Sequence, residues 1–270
     1  MKTLRNHTIL YDADCPMCNL YTRAFIKTGM LDENGREPYQ QMPPEFCALV
    51  NRQRSVDEIA LVNRTTGEVS YGINSMFTII GNAYPLLKPL FSFKPFVTLM
   101  SKVYAFVSSN RKVIIPVKKN EAAINPTFKL RYRIAYLVFT GLVTSLILTA
   151  YARLLVPVMQ AGSVYSAYMI CGVQILVQGI LIGFVDPTKR WDYLGNMMTI
   201  SLAGSLLLLP MLLLNNLVPV NILVIIAYFM AVTAGMLLEH IRRSRLLGIG
   251  WSLTTGWITV ILLVLLLIRR

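Results

Sequence analysis

From residue 130 onward the chain returns repeatedly to apolar runs too long for a soluble core: about 134–156, 164–185, 193–214, 219–238 and 248–268. Each holds roughly 20 residues or more, enough for an α-helix to cross about 30 Å of hydrocarbon. Inside hydrocarbon every backbone N–H and C=O must be satisfied within the chain, so such runs are read as helices. The connections between them are short, which makes neighbouring helices antiparallel. Residues 131–270 are therefore expected to form an all-α bundle of five transmembrane helices, with the lipid bilayer as its first partner.

Charge divides the chain in the same place. Residues 1–130 carry 16 Lys+Arg and 10 Asp+Glu, an ordinary density for a soluble domain, whereas residues 131–270 carry 10 and 3. The net charge of +13 has no basic stripe with interleaved aromatics, so no nucleic-acid partner is expected. Its distribution instead follows the loops. Lys129, Arg131, Arg133, Lys189, Arg190, Arg242, Arg243 and Arg245 fall on the face shared with the amino-terminal region, against Arg153, Arg269 and Arg270 on the other. Cytoplasmic loops are enriched in Lys and Arg. The expectation is a multi-pass protein of a bacterial inner (plasma) membrane, with the amino-terminal domain cytoplasmic and the carboxyl terminus outside. No hydrophobic signal-peptide core precedes Tyr11.

The first 115 residues read as a small α/β domain. His7–Tyr11 is a short, β-branched apolar run, the mark of a buried strand. From Pro16 the pattern turns helical, with Leu20, Tyr21, Ala24 and Phe25 on one face, and Gly29 and "DENG" (32–35) end it. A second strand is placed near Pro38–Gln41. "DEIALVN" (57–63) and "GEVSYG" (67–72) flank Thr66-Gly67 as a hairpin. Residues 74–84 and 95–108 read as helices; Pro85, Pro89, Pro95 and three lysines argue that they pack on the sheet, within reach of the bilayer surface, rather than span it. Strand, helix, strand, hairpin, helix is the order of a thioredoxin-like domain. Residues 116–130 read as a linker.

The chemistry concentrates in "YDADCPMC" (11–18). Two cysteines at i and i+3 in the first turn of a helix lie on one face. The free amide hydrogens and dipole there stabilise a thiolate, the species that exchanges disulfides. Pro16 suits that first turn because its missing N–H would have had no partner. Cys15 would then be the exposed nucleophile and Cys18 the resolving thiol. Asp12 and Asp14 oppose the thiolate electrostatically, cap the helix, or shuttle a proton to the departing thiol. Three other uses of the stretch stand beside this one. The cysteines could be packed as small hydrophobes. They could be half of a zinc site, for which only Cys47 and His7 are at hand. Asp12-x-Asp14 after an apolar strand also resembles the first motif of haloacid-dehalogenase phosphatases, although no later acidic pair completes a magnesium site.

Tyr11–Cys18 resembles the "YDGxCxxC" signature of the DCC-type thiol-disulfide oxidoreductases. "YGINSMFTII" (71–80) and "VYAFVSSNRKVI" (103–114) are similar to that family's second and third blocks, and the three occur in order over residues 7–115. The resemblance implies a thioredoxin-like fold with Cys15 and Cys18 as the redox pair, no cofactor and no metal, acting on a thiol or disulfide protein partner. Ala13 replaces the usual glycine, and no proline stands immediately before "EIALV". The competing expectation is non-enzymatic: the helical bundle is a transporter-like or assembly subunit, and the cysteine domain senses redox state or binds a partner.

In the second half, Cys171, Gln174 and Gln178 share a helix face, read as a helix–helix contact glued by glutamine hydrogen bonds. Asp186, Asp192, Glu239 and His240 fall at helix ends among arginines, where pairing is expected. Trp191 and Trp251 suit the interface.

Overall fold

A computed structural model describes residues 2–117, 126–157 and 165–268, with the side chains of residues 261–268 excepted. Most of the expected linker, residues 118–125, lies outside the described residues, as do Arg269 and Arg270. The chain divides into two compact units, Met1–Tyr132 and Arg133–Arg270.

The first unit is built on β1 (His7–Tyr11), β2 (Arg36–Pro38), β3 (Ala60–Asn63) and β4 (Val69–Tyr71). They form one mixed sheet in the order β2-β1-β3-β4, with β1 parallel to β2 and antiparallel to β3, and β3 antiparallel to β4. Strand side chains alternate between faces, and here both faces are covered. Ile9, Tyr11, Ile59 and Leu61 pack with Cys18 and Phe25 of α1 (Pro16–Lys27). Leu10, Ala60 and Val62 pack with Phe46 of α2 (Pro44–Cys47) and with Val50. The second strand begins two residues before its expected position, and residues 39–41 form a 3-10 turn instead. The hairpin forms as expected: Asn63 Oδ1 accepts from the N–H groups of Thr65 and Thr66, and Gly67 takes φ +74°.

Four helices complete the described part of this unit around the site. α3 (Arg52–Asp57) leads into β3, and α4 (Ile73–Ala83) follows β4. After a 3-10 turn over Pro85–Leu87 and the short α5 (Lys88–Ser92), α6 runs from Lys94 to Ile114, six residues beyond its expected end. α5 and α6 meet at 87° and are together apolar enough for a broken span. The end of α6 is anchored in the first unit: Asn110, Arg111 and Val113 are buried, with Asn110 donating to Tyr132 O and Arg111 to Val56 O of α3. The sequence expectation that this region packs on the sheet is met.

The second unit comprises α7 (Leu130–Leu154, whose first turn belongs to the first unit), α8 (Ser166–Val185), α9 (Arg190–Leu217), α10 (Ile222–Leu246) and α11 (Ser252–Ile268). α7, α8, α9 with the 3-10 turn before it, and α10 are long and apolar enough to cross a membrane. α11 has 17 residues, about 25 Å at 1.5 Å per residue. That makes it the shortest of the five, a little under the hydrocarbon thickness.

Hydrogen bonds fix the antiparallel order. At one end Arg133 of α7 bonds Trp191 O on α9; Tyr193 of α9 bonds Gln178 of α8 and His240 of α10; and His240 bonds Thr254 of α11. At the other end Tyr151 of α7 donates to Ile225 O of α10, and Tyr228 of α10 donates to Leu207 O of α9. The acids at the first end are paired as expected: Asp186 with Lys189, Asp192 with Arg133, and Glu239 with Arg242 and Arg243. His240 departs from that pattern. It sits between Tyr193 and Thr254 with its ring stacked on Trp257, 5.4 Å between centroids. Of the two glutamines, only Gln178 makes the expected bond; the buried Gln174 amide has no hydrogen-bond partner among the described residues.

Candidate functional site

Cys15 is the N-cap of α1, in extended geometry, and its sulfur accepts the Cys18 N–H at 3.4 Å. Pro16 holds the first helical position, so the turn wastes no donor. Three residues on, Cys18 lies under the same turn, and Tyr21 packs against the cluster that holds it. The two sulfurs thus share a buried pocket on the Ile9–Tyr11 face of the sheet.

The surroundings separate the two thiols. The Cys15 thiol is lowered to about 6, chiefly because Cys18 hydrogen-bonds its thiolate, with help from the Cys18 N–H and the Arg111 guanidinium; burial and Asp12 oppose this. The same bond, together with burial, pushes the Cys18 thiol far up. One thiolate and one thiol share a proton donor and acceptor. That is the charge state in which a dithiol is poised for exchange.

Two expectations are corrected. Cys15 is not exposed: it is 6% accessible and Cys18 5%. Tyr21, Met76, Ile80 and Tyr104 pack against the cluster that holds them. Nor do the aspartates cap α1, since the Cys15 sulfur occupies the capping position and the first turn has no acidic residue. Asp12 lies just upstream and is buried. Its Oδ1 accepts from Asp14 N–H at 3.1 Å and from Gln40 Nε2 at 3.0 Å, and its Oδ2 meets Arg111 at 3.5 Å. Cys15 N–H in turn donates to Asp12 O at 3.1 Å. Asp12 therefore holds the loop that presents Cys15. Asp14 is half-buried beside it.

Arg111 is the residue that sequence reasoning left without a role. It comes from α6, 99 positions after Asp12, and is buried between that carboxylate and the carbonyls of Val56 and Asp57. Its guanidinium favours the anionic form of both cysteines. The signal was present in "SSNRKVI", where Arg111 follows Asn110 at the end of the third block. Neighbouring residues of that block grip the same loop: Ser108 Oγ donates to Asp57 O, and Tyr104 Oη accepts the Ile59 N–H at 3.1 Å. The second block joins there too. Gly72 takes φ +60° and ψ −129°, and a Cβ at that position would lie 3.1 Å from Glu58 Oε2 and 3.2 Å from Tyr104 Cε1. The loop before β3, where the expected proline is missing, is held by these contacts.

Cys47 and Cys171 have other surroundings. Cys47 bonds Pro43 O and Arg52, and Cys171 is in the second unit. Among the described residues no three His, Cys, Asp or Glu side chains converge to hold a metal ion. His7 is turned to Arg5 O.

Fold and site define a two-part chain: a small mixed α/β unit with a buried dithiol at a helix start, then a helical unit with, among the described residues, four helices long and apolar enough to cross a membrane. Compared with known proteins, the chain matches no protein-family model, no curated protein and no solved structure.

Proposed function

We propose that the chain is a membrane-anchored thiol-disulfide oxidoreductase whose first unit is a thioredoxin-like domain of the DCC type, with Cys15 and Cys18 as its redox pair. One observation carries the reading: the Cys15 sulfur caps α1 and accepts the Cys18 N–H, with a guanidinium on the same side. The sheet order β2-β1-β3-β4, with a β-α-β half and a hairpin-helix half, supports the fold assignment.

The proposed cycle is balanced. The Cys15 thiolate attacks a partner's disulfide, forming a mixed disulfide and releasing one partner thiolate. Cys15 is then no longer an anion, and the main influence holding the proton on Cys18 is gone. Cys18 loses that proton, attacks the Cys15 sulfur and releases the second partner thiolate. Two electrons have passed to the partner, and a thiol reductant restores the Cys15–Cys18 dithiol. The positive-inside distribution of the sequence favours a cytoplasmic site, where transient exchange is a more natural use of a dithiol than a lasting structural disulfide.

The burial of both thiols favours one competitor, a redox sensor attached to a working membrane unit. The Cys18→Ser variant of the full chain separates the two. An oxidoreductase accumulates a mixed disulfide through Cys15, resolved by dithiothreitol, and the wild type reduces a model disulfide catalytically. No trapped adduct and no turnover would remove the enzyme reading. For topology, a Leu20→Cys variant, at an exposed position of α1, should react with a membrane-impermeant maleimide only after cells are permeabilised.

A further inference from the structure

The elbow between α4 and α6 is built so that its apolar residues cannot all be buried. Phe91 stacks on Phe77 at 4.3 Å with an interplanar angle of 8°, and Phe96 continues the stack at 5.8 Å from Phe77. Gly81 admits this packing, since a Cβ there would lie 3.3 Å from Phe91 Cδ2. The three stacked phenylalanines are half-buried against one another, and their neighbours lie outside the stack. Every residue from Tyr84 to Leu90 is exposed; Leu86 is 95% accessible and Phe93 58%. Leu99 and Val103, one turn apart on α6, are exposed as well. A contiguous apolar surface of this kind on a folded unit marks an interaction site.

Charge selects the occupant. Lys88, Lys94 and Lys102 are interspersed with these leucines, and no acidic residue occurs anywhere in residues 69–120. Exposed leucine and phenylalanine with lysine alongside is the composition of an element lying in the headgroup region of an anionic bilayer. A soluble protein partner would require complementary acids, whereas the bilayer supplies anionic headgroups and hydrocarbon together. The lipid is also close at hand: residues 115–129 alone join α6 to α7, the first helix long and apolar enough to cross a membrane.

We infer that the Tyr84–Phe93 elbow, with Lys88, Lys94 and Lys102, is an interfacial membrane anchor that seats the first unit on an anionic lipid surface. The dithiol would then work at the membrane surface rather than at the end of a free tether. This inference is independent of the redox reading, because its test reads lipid contact and not thiol chemistry.

The test uses the full chain in vesicles of phosphatidylglycerol and phosphatidylethanolamine. A small fluorophore is placed at Leu86→Cys or, as control, at Leu20→Cys, with the native cysteines changed to serine. Position 86 should show blue-shifted emission, quenching by lipid-borne nitroxide and shielding from aqueous iodide; position 20 should show the reverse. Changing Lys88, Lys94 and Lys102 together to glutamate should weaken the lipid quenching. Hydrogen exchange on the unmodified chain should show residues 84–93 more protected in anionic than in neutral vesicles, which covers the case of a variant that folds poorly. Equal iodide access at both positions would overturn the inference. So would shielding at 86 accompanied by fluorophore self-quenching between copies, which would make a second chain the occupant.

Discussion

Replacing Cys18 by alanine tests the site at its centre, because the Cys18 hydrogen bond is the largest influence lowering the Cys15 thiol. In the wild type, with Cys15 at about 6, roughly nine-tenths of it is thiolate at pH 7. Were the whole effect lost, the thiol would return to its ordinary value of 9.0 and only about 1% would be ionised at that pH. Cys18→Ala keeps the backbone N–H at 3.4 Å and keeps Arg111, so the midpoint should stop between these limits. The expected loss of reactivity at pH 7 is then several-fold, below a ceiling of about ninetyfold in thiolate fraction. A less stabilised thiolate is also the better nucleophile, with a Brønsted slope of about 0.4–0.5. The two rate–pH curves should therefore cross, with the variant slower near neutrality and faster on its alkaline plateau.

The assay is alkylation of Cys15 by a small neutral reagent, followed by mass spectrometry from pH 4 to 10 on reduced full-length protein. Restricted access of the reagent to Cys15 scales every rate in the series without displacing the midpoint. Cys18→Ser, which retains a hydroxyl donor, should fall between wild type and alanine. A wild-type midpoint above about 8, within the range of free cysteine, would refute the argument. An unchanged midpoint in Cys18→Ala would refute it equally, since the lowering would then have another source.

Arg111→Gln should raise the Cys15 midpoint and Asp12→Asn should lower it, because the guanidinium favours the thiolate and the carboxylate opposes it. Each change breaks a buried ion pair and should cost about 3–5 kcal/mol in denaturant unfolding, while the double variant should lose clearly less than the sum. Gly72→Ala should destabilise the first unit by about 1–3 kcal/mol, read by thermal unfolding, because φ +60° with ψ −129° suits glycine alone. For pH, Cys15 ionises more readily folded than unfolded, so its contribution is fully present above about 9 and is lost as pH falls through about 6. Cys18 has the opposite sign, being harder to ionise folded, so stability of the reduced protein should decline above pH 9; calorimetry on wild type and Cys18→Ala should separate the two limbs.

Local features of the fold were legible wherever short-range chemistry dictates them. The apolar run at His7–Tyr11 is β1 to the residue, Pro16 opens α1, and the Thr66-Gly67 turn closes the hairpin. β2 was misplaced because its three residues carry no alternation, and parallel pairing to Ile9–Tyr11 alone defines it. The spans were legible as apolar lengths, but their ends moved where polar side chains find partners inside the bundle. α10 continues eight residues past its expected end because Glu239, His240 and Arg243 are all satisfied there. Cys15 was expected to be exposed because helix starts usually are. The side chains that cover it come from α1 itself, from α4 and from α6, and no local pattern announces that convergence.

The same reasoning explains why Asp12 and Asp14 resisted a sequence assignment. A carboxylate next to a thiol that must ionise looks counterproductive, and a helix cap was the simplest way to account for it. Structure gives Asp12 a different purpose, tying the loop before Cys15 to a cation that arrives 99 residues later, while Arg111 also holds the carbonyls of Val56 and Asp57 ahead of β3. Asp12 therefore raises the Cys15 thiol by its own charge but secures the guanidinium that lowers it. Removing the pair together should alter the midpoint less than removing either member alone, yet it would leave both loops unheld. On this argument the pair serves chiefly to fix the loops on either side of the dithiol. The hydrogen bond between the two cysteines sets their ionisation, and the blocks at residues 71–80 and 103–114 supply the Gly72, Tyr104, Ser108 and Arg111 contacts that keep that geometry closed.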